Sequence, residues 1–218
     1  MPKTKEDFED KVEVDEEKFD SRPSQEELEE TVENLEVNGF NLKIVDTGED
    51  ALEHAKDTIE DDSSVMVGHS TTLEQIGFVD YLNEGDHSWE NRYGKVFSID
   101  DDEKRAEERR KAQASDYFLG SVNAITKTGE PVAADLSGSR IGPYPFAAGK
   151  VVIISGRNKI MEDLESARDR LWNYSWTFEN ERAQEAYSDE SALAKELTFR
   201  QEKGYRTMII LVRDDLGY

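Results

Sequence analysis

Val65-Met66-Val67-Gly68-His69-Ser70-Thr71-Thr72-Leu73-Glu74 passes from three apolar residues, through a glycine, into a polar run led by hydroxyls. The triplet predicts a short buried strand and the Ser/Thr start predicts a helix, so one element hands over to the other here. Upstream, Thr47-Gly48-Glu49-Asp50 caps a helix carrying Leu52, Ala55 and Ile59, and Phe40 to Val45 reads as a strand. Before that, Ser24-Gln25-Glu26-Glu27 is a capping box for a helix with Leu28, Val32 and Leu35 at helical spacing, stopped at Gly39.

Downstream the alternation continues. A helix from about Thr71 is followed by a strand near Val96 to Ile99, a charged helix over Asp102 to Gln113, and the apolar Tyr117-Phe118-Leu119-Gly120. Ala124 to Lys127 and Pro131 to Ala134 flank Thr128-Gly129-Glu130 as a strand pair with a tight turn. Ser137 to Lys150 is a Gly- and Pro-rich loop, Val151 to Ser155 a strand, Met161 to Trp172 and Glu190 to Glu202 helices, and Thr207 to Val212 a last strand. Strands alternating with helices imply parallel βα units, hence an α/β fold with an open, mainly parallel sheet flanked by helices. Residues 1–22 read as an acidic tail or peripheral helix, and 23–218 as one domain.

The chain of 218 residues carries 50 acidic and 27 basic side chains, a net charge of -23. Such a surface repels phosphate backbones and anionic lipid, which excludes nucleic acid and membrane as expected partners. Without an apolar span or signal core the expected location is the cytoplasm. With no cysteine and three scattered histidines, thiolate zinc sites and iron-sulfur clusters are excluded and no metal site is expected. The acids are spread along the chain, as in Asp61-Asp62 and Asp100-Asp101-Asp102, a pattern that fits a surface adapted to concentrated salt.

Three constellations carry candidate chemistry. Gly68 to Glu74 lies where backbone N–H groups and hydroxyls can meet an anion, and where Ser70 or Thr71 can equally serve as a helix cap. Gly120 to Pro143 is rich in small polar residues, with Asp135 a candidate base and Arg140 a candidate bidentate partner for carboxylate or phosphate; an Asp135–Arg140 ion pair is the plain structural alternative. Arg157 and Lys159 follow the strand Val151 to Ser155, and in an open α/β sheet they share the carboxyl edge with Gly68 to Thr72.

Three segments in order, Val67-Gly68-His69-Ser70-Thr71-Thr72-Leu73-Glu74-Gln75-Ile76-Gly77, Asp116 to Glu130, and Gly156-Arg157-Asn158-Lys159-Ile160, resemble the LUD (lactate utilisation) domain family, LutC-like, over about residues 24–218. The resemblance implies a NagB/RpiA/CoA-transferase-like fold, whose members bind phosphosugars, CoA esters or other anions at strand ends. Gly68, Ser70, Thr72 and Glu74 match its first motif; Asn123, Thr126, Thr128 and Gly129 its second; Asp135, Gly138 and Arg140 the segment after; Asn158 and Lys159 the last. Leu136 stands where a glycine is expected and Ser139 where an asparagine commonly precedes the arginine.

The function so implied is binding of a small anionic metabolite, linked to lactate utilisation, among these residues and Thr71. Arg140 and Lys159 would hold the anion, and Glu74 or Asp135 would be the acid/base of any catalysis. Two other functions fit the resemblance: a non-enzymatic subunit docking onto iron-sulfur lactate-oxidation partners, and a phosphosugar isomerase or CoA-transferase-type enzyme. The cofactor and a homo-oligomeric state are left open.

If the acidic surface is an adaptation to salt, stability should rise with KCl toward the molar range, where the Debye length falls to about 3 Å. Urea melts at increasing KCl check this; a midpoint indifferent to salt contradicts it.

Overall fold

The computed structural model describes residues 4–8, 10–20, 22–188 and 190–218. Helices α1 (Glu16–Phe19) and α2 (Gln25–Val37) precede β1 (Asn41–Val45); α3 (Gly48–Thr58) leads to β2 (Ser64–Val67), and α4 (Thr71–Gln75) and α5 (Phe78–Glu84) to β3 (Glu90–Asn91). Next come α6 (Arg92–Phe97), α7 (Asp102–Ala112), β4 (Tyr117–Gly120), β5 (Ala124–Thr126), β6 (Pro131–Asp135), β7 (Lys150–Gly156) and β8 (Ile160–Met161). A long helix then runs through α8 (Leu164–Arg170), a π turn (Leu171–Ser175) and α9 (Trp176–Tyr187), before β9 (Lys195–Thr198) and β10 (Thr207–Val212).

Six strands form one sheet in the order β1-β10-β7-β4-β2-β3, and every pairing is parallel. Alternate residues of a strand point to opposite faces, and both faces are covered. Val151 and Ile153 of β7 and Ile209 and Leu211 of β10 enter one apolar cluster, with Leu28 and Leu35 of α2 and Tyr144. Val152, Ile154, Ile210 and Val212 enter another, with Ala51 and Ala55 of α3 and Leu73 and Phe78 of α4 and α5. Burial on both sides explains the unbroken apolar runs of these strands.

A second sheet, β8-β5-β6-β9, is built on the antiparallel β5–β6 hairpin. It belongs to a third cluster with Phe178 and Tyr174 of the long helix and with Phe8 and Phe19, which are buried although they lie in the acidic stretch before residue 22. Among the described residues no helix is long and apolar enough to cross a membrane.

Three expected elements differ. Val96 lies in a helix rather than a strand, because Asn91 accepts the Gly94 N–H at 2.7 Å as an N-cap and Tyr93 meets Phe97 one turn on. Residues 190–202 hold an edge strand instead of a helix: β9 pairs antiparallel with β6, and that pairing overrides the helical preference of the acids around it. The helix expected from Met161 starts at Leu164, where Asp163 and Ser166 form its capping box, and continues past Trp172 through the π turn.

Ile153 is fully buried in the middle of the sheet, whereas Phe146 is 89% exposed. Ile153→Ala should cost about 2–5 kcal/mol in urea denaturation, and Phe146→Ala no more than about 0.5 kcal/mol.

Candidate functional site

Parallel pairing sends the carboxyl ends of β2, β4, β7 and β10 to one edge. There the segments that follow them, containing Ser70 to Thr72, Ser121 to Asn123, Lys159, and Gly217 and Tyr218, wall a cavity of about 380 Å³. The loop after β6 and the face of α9 complete it, with Arg140 from the loop and Trp176, Glu179 and Arg182 from the helix. Arg109, Arg140, Lys159 and Arg182 line it together with Asp135, Glu179 and Glu190, so the lining does not share the acidic excess of the chain as a whole.

Arg140 is positioned from both of its ends. Its main-chain N–H, with those of Gly138 and Ile141, points at the Asp135 carboxylate. Asp135 thus organises the loop, and the pairing with Arg140 runs through the backbone rather than as an ion pair. Nη2 of the guanidinium donates to Asn123 Oδ1 at 3.0 Å and to the Ala134 carbonyl. Among the described residues Nε is buried without a hydrogen-bond partner, and no ion pair to the guanidinium is present. Gly68 makes room for this side chain: a Cβ there would sit 2.7 Å from Arg140 Cγ. Gly138, at φ +88°, supplies the left-handed turn between Asp135 and Arg140.

Lys159 is buried, and its Nζ meets Thr72 Oγ1 at 3.0 Å, Ser121 Oγ at 3.2 Å and the Val122 carbonyl at 3.2 Å. None of the three carries a charge. Burial holds the amine well below the ordinary lysine range, and the charges of Arg170 and Arg140 push the same way. Gly217, at φ +65°, passes so close that a Cβ would lie 2.4 Å from Thr72 Oγ1 and 2.9 Å from Nζ.

His69 Nδ1 lies 3.3 Å from Glu74 Oε1, while its Nε2 is buried and unpartnered among the described residues. Desolvation, followed by the charges of Arg182, Arg140 and Arg109, holds the imidazole down to about 4. Glu74 stands behind His69 and outside the lining, its pKa raised by burial. Ser70 accepts the Leu73 N–H at 3.4 Å as the cap of α4 and also lines the cavity with Thr71 and Thr72.

The sequence-predicted residues therefore divide. Ser70, Thr71, Thr72, Asn123, Asp135, Arg140 and Lys159 line the cavity. Thr126, Thr128 and Gly129 sit at the β5–β6 turn, where Asn38 Nδ2 donates to the carbonyls of Thr128 and Gly129 and Asn34 to that of Lys127, clamping α2 to the hairpin. Asn158 lies below the cavity floor, donating to Asp20 Oδ1 at 2.8 Å and accepting the Leu216 N–H at 3.1 Å.

Sequence reasoning missed Arg109, Trp176, Glu179, Arg182 and Tyr218. Glu179 and Arg182 form an i,i+3 pair that reads as an ordinary solvated helix face, yet Glu179 also receives the Tyr218 hydroxyl at 3.2 Å. Burial opposes the Glu179 charge, but the hydrogen bonds and charge of Arg182 prevail and hold its carboxyl below the usual range. Among the described residues no cluster of His, Asp or Glu could hold a metal ion.

A His69 ring that is neutral in the fold stabilises the protein above the unfolded pKa of about 6.5, and that contribution is lost as pH falls toward 4. In an NMR titration the His69 ring should hold its shift to about pH 5 and move near 4. A midpoint at the ordinary imidazole value contradicts the described environment.

Comparison with known proteins agrees with this architecture. The fold is similar to the crystal structure of a DUF162 family protein from Deinococcus radiodurans, with a TM-score of 0.52, 11% identity, and 87% of this chain and 99% of that chain covered. At that identity the likeness concerns the fold alone. No curated protein matches the sequence. The LUD domain family model matches residues 28–199, from α2 through β9, and takes in the cavity loops after β2, β4, β6 and β7 but neither β10 nor Gly217 and Tyr218. This chain belongs to the LUD domain family.

Proposed function

We propose that the protein binds a small carboxylate-bearing metabolite in the cavity at the carboxyl edge of the sheet, as part of lactate utilisation. Membership of the LUD domain family supports the link to lactate utilisation at the level of the family. The observation that carries the ligand class is Arg140: a guanidinium lining a cavity, with no carboxylate paired to it among the described residues, in a chain of net charge -23. A cation on a cavity wall without a paired carboxylate favours an anionic ligand, which supplies the counter-charge. Charge-assisted donation from a guanidinium suits a carboxylate, while the hydroxyls of Ser70, Thr71 and Thr72 suit a neighbouring oxygen function.

Electron transfer in lactate oxidation falls, on this reading, to a partner chain. An iron-sulfur centre needs thiolates that these 218 residues do not contain. The present chain would hold the carboxylate and the partner would carry the redox group.

Thermal melts with lactate or pyruvate test the binding. At about 100 times Kd the ligand adds about 2.7 kcal/mol, which for a domain of this size raises Tm by about 5–10 °C. Arg140→Ala should abolish the rise and Arg140→Lys retain part of it; equal stabilisation of wild type and Arg140→Ala would sink the role of Arg140.

A further inference from the structure

We propose that Lys159 is a nucleophilic amine that forms a reversible imine with the carbonyl carbon of a small oxo acid whose carboxylate rests on Arg140. The inference builds on the carboxylate-binding reading above and adds a covalent step to it.

The geometry supports an amine rather than an ammonium. A buried ammonium needs a nearby anion, and among the described residues Nζ bonds none: its three partners are two hydroxyls and a carbonyl. A neutral amine is satisfied by the same set. It donates to the Val122 carbonyl and to one hydroxyl, and its lone pair accepts from the other. Of the charges around it, Arg170 and Arg140 oppose protonation and outweigh Asp20, which favours it. Desolvation beside cations is a recognised means of activating a lysine for attack on a carbonyl.

Placement also favours reaction. Nζ bonds to the Val122 carbonyl and Arg140 Nη2 to the Asn123 side chain, so consecutive residues of one loop hold the amine and the guanidinium on the same cavity. A small oxo acid carries its carbonyl within one or two bonds of its carboxylate and can engage both. Gly217 keeps the space beside Nζ clear of a Cβ.

In the step itself Nζ adds to the carbonyl carbon and the C–N bond forms. The carbonyl C–O bond then breaks, and the oxygen leaves as water with the two amine protons. Thr72 Oγ1 and Ser121 Oγ, both within hydrogen-bond distance of Nζ, can relay those protons. Nothing is oxidised or reduced, and the reverse reaction regenerates the free amine.

The test is reductive trapping on the intact protein. Wild type is incubated near pH 7 with pyruvate or glyoxylate and cyanoborohydride, whose hydride converts an imine to a stable secondary amine, and the adduct is mapped by peptide mass spectrometry. An ordinary lysine is un-ionised at pH 7 in roughly one molecule in a few thousand, so Lys159 should be labelled at least about tenfold more than any other lysine. The added mass equals the oxo acid less one oxygen atom, excess lactate should suppress the labelling, and Lys159→Met should abolish it. No preferential adduct at Lys159 in wild type overturns the inference whatever the variant does. Calorimetry with the same pyruvate then separates the two readings: binding without an adduct leaves carboxylate binding intact, and no binding removes both.

Discussion

Parallel pairing is the constraint on which the rest of the molecule depends. Because β2, β4, β7 and β10 run the same way, each delivers its following loop to one edge of the sheet. Residues far apart in sequence, such as Thr72, Ser121, Lys159 and Gly217, therefore meet within hydrogen-bond distance or in van der Waals contact. The pairing is possible because both faces are covered, by α3 to α5 on one side and by α2 and the second sheet on the other, so strand after strand can be apolar throughout.

What keeps that edge polar and ordered is a buried cation outside the cavity lining. Arg170, fully buried at the end of α8, donates to the carbonyls of Phe19 and Asn123 at 2.7 and 2.6 Å and to Ser175 Oγ at 2.9 Å. The last of these depends on the π turn, which brings the residue five positions along back to the arginine. Asn123, fixed through its carbonyl by Arg170, offers Oδ1 to Arg140 and to the Ala134 N–H. The chain of bonds thus runs from the residues before α2, through the long helix, to the guanidinium in the cavity. Asp20, whose charge lies near Arg170 and bonds Asn158, ties the same residues to the segment after β10.

Much of this was legible in the sequence, for reasons that can be named. Capping boxes at Ser24 and Thr47, the glycine stop at Gly39 and the apolar runs of β2, β7 and β10 are local signals, and the structure contains the helices and strands they announce. The elements read differently, α6 and β9, depend on a side-chain cap and on a strand partner some sixty residues away, which no local period records. The site divides in the same way. Strand-end residues such as Thr72 and Lys159 follow from the topology of an α/β sheet, whereas Glu179, Arg182 and Tyr218 reach the cavity through tertiary packing of a helix that looks solvated in sequence. Thr126, Thr128 and Gly129 lie in a recognisable motif, yet they hold α2 against the hairpin.

In a chain of net charge -23, three arginines and Lys159 stand with only three acids around the cavity, and Arg140 and Lys159 lie beyond the strand ends. The central claim, that this edge presents Arg140 to a carboxylate, is tested most directly by a crystal structure grown with lactate or pyruvate. The account predicts the ligand carboxylate on the Arg140 guanidinium, inside the cavity walled by Thr72, Asn123 and Lys159. A ligand bound elsewhere, or bound here with its carboxylate turned away from Arg140, would contradict it.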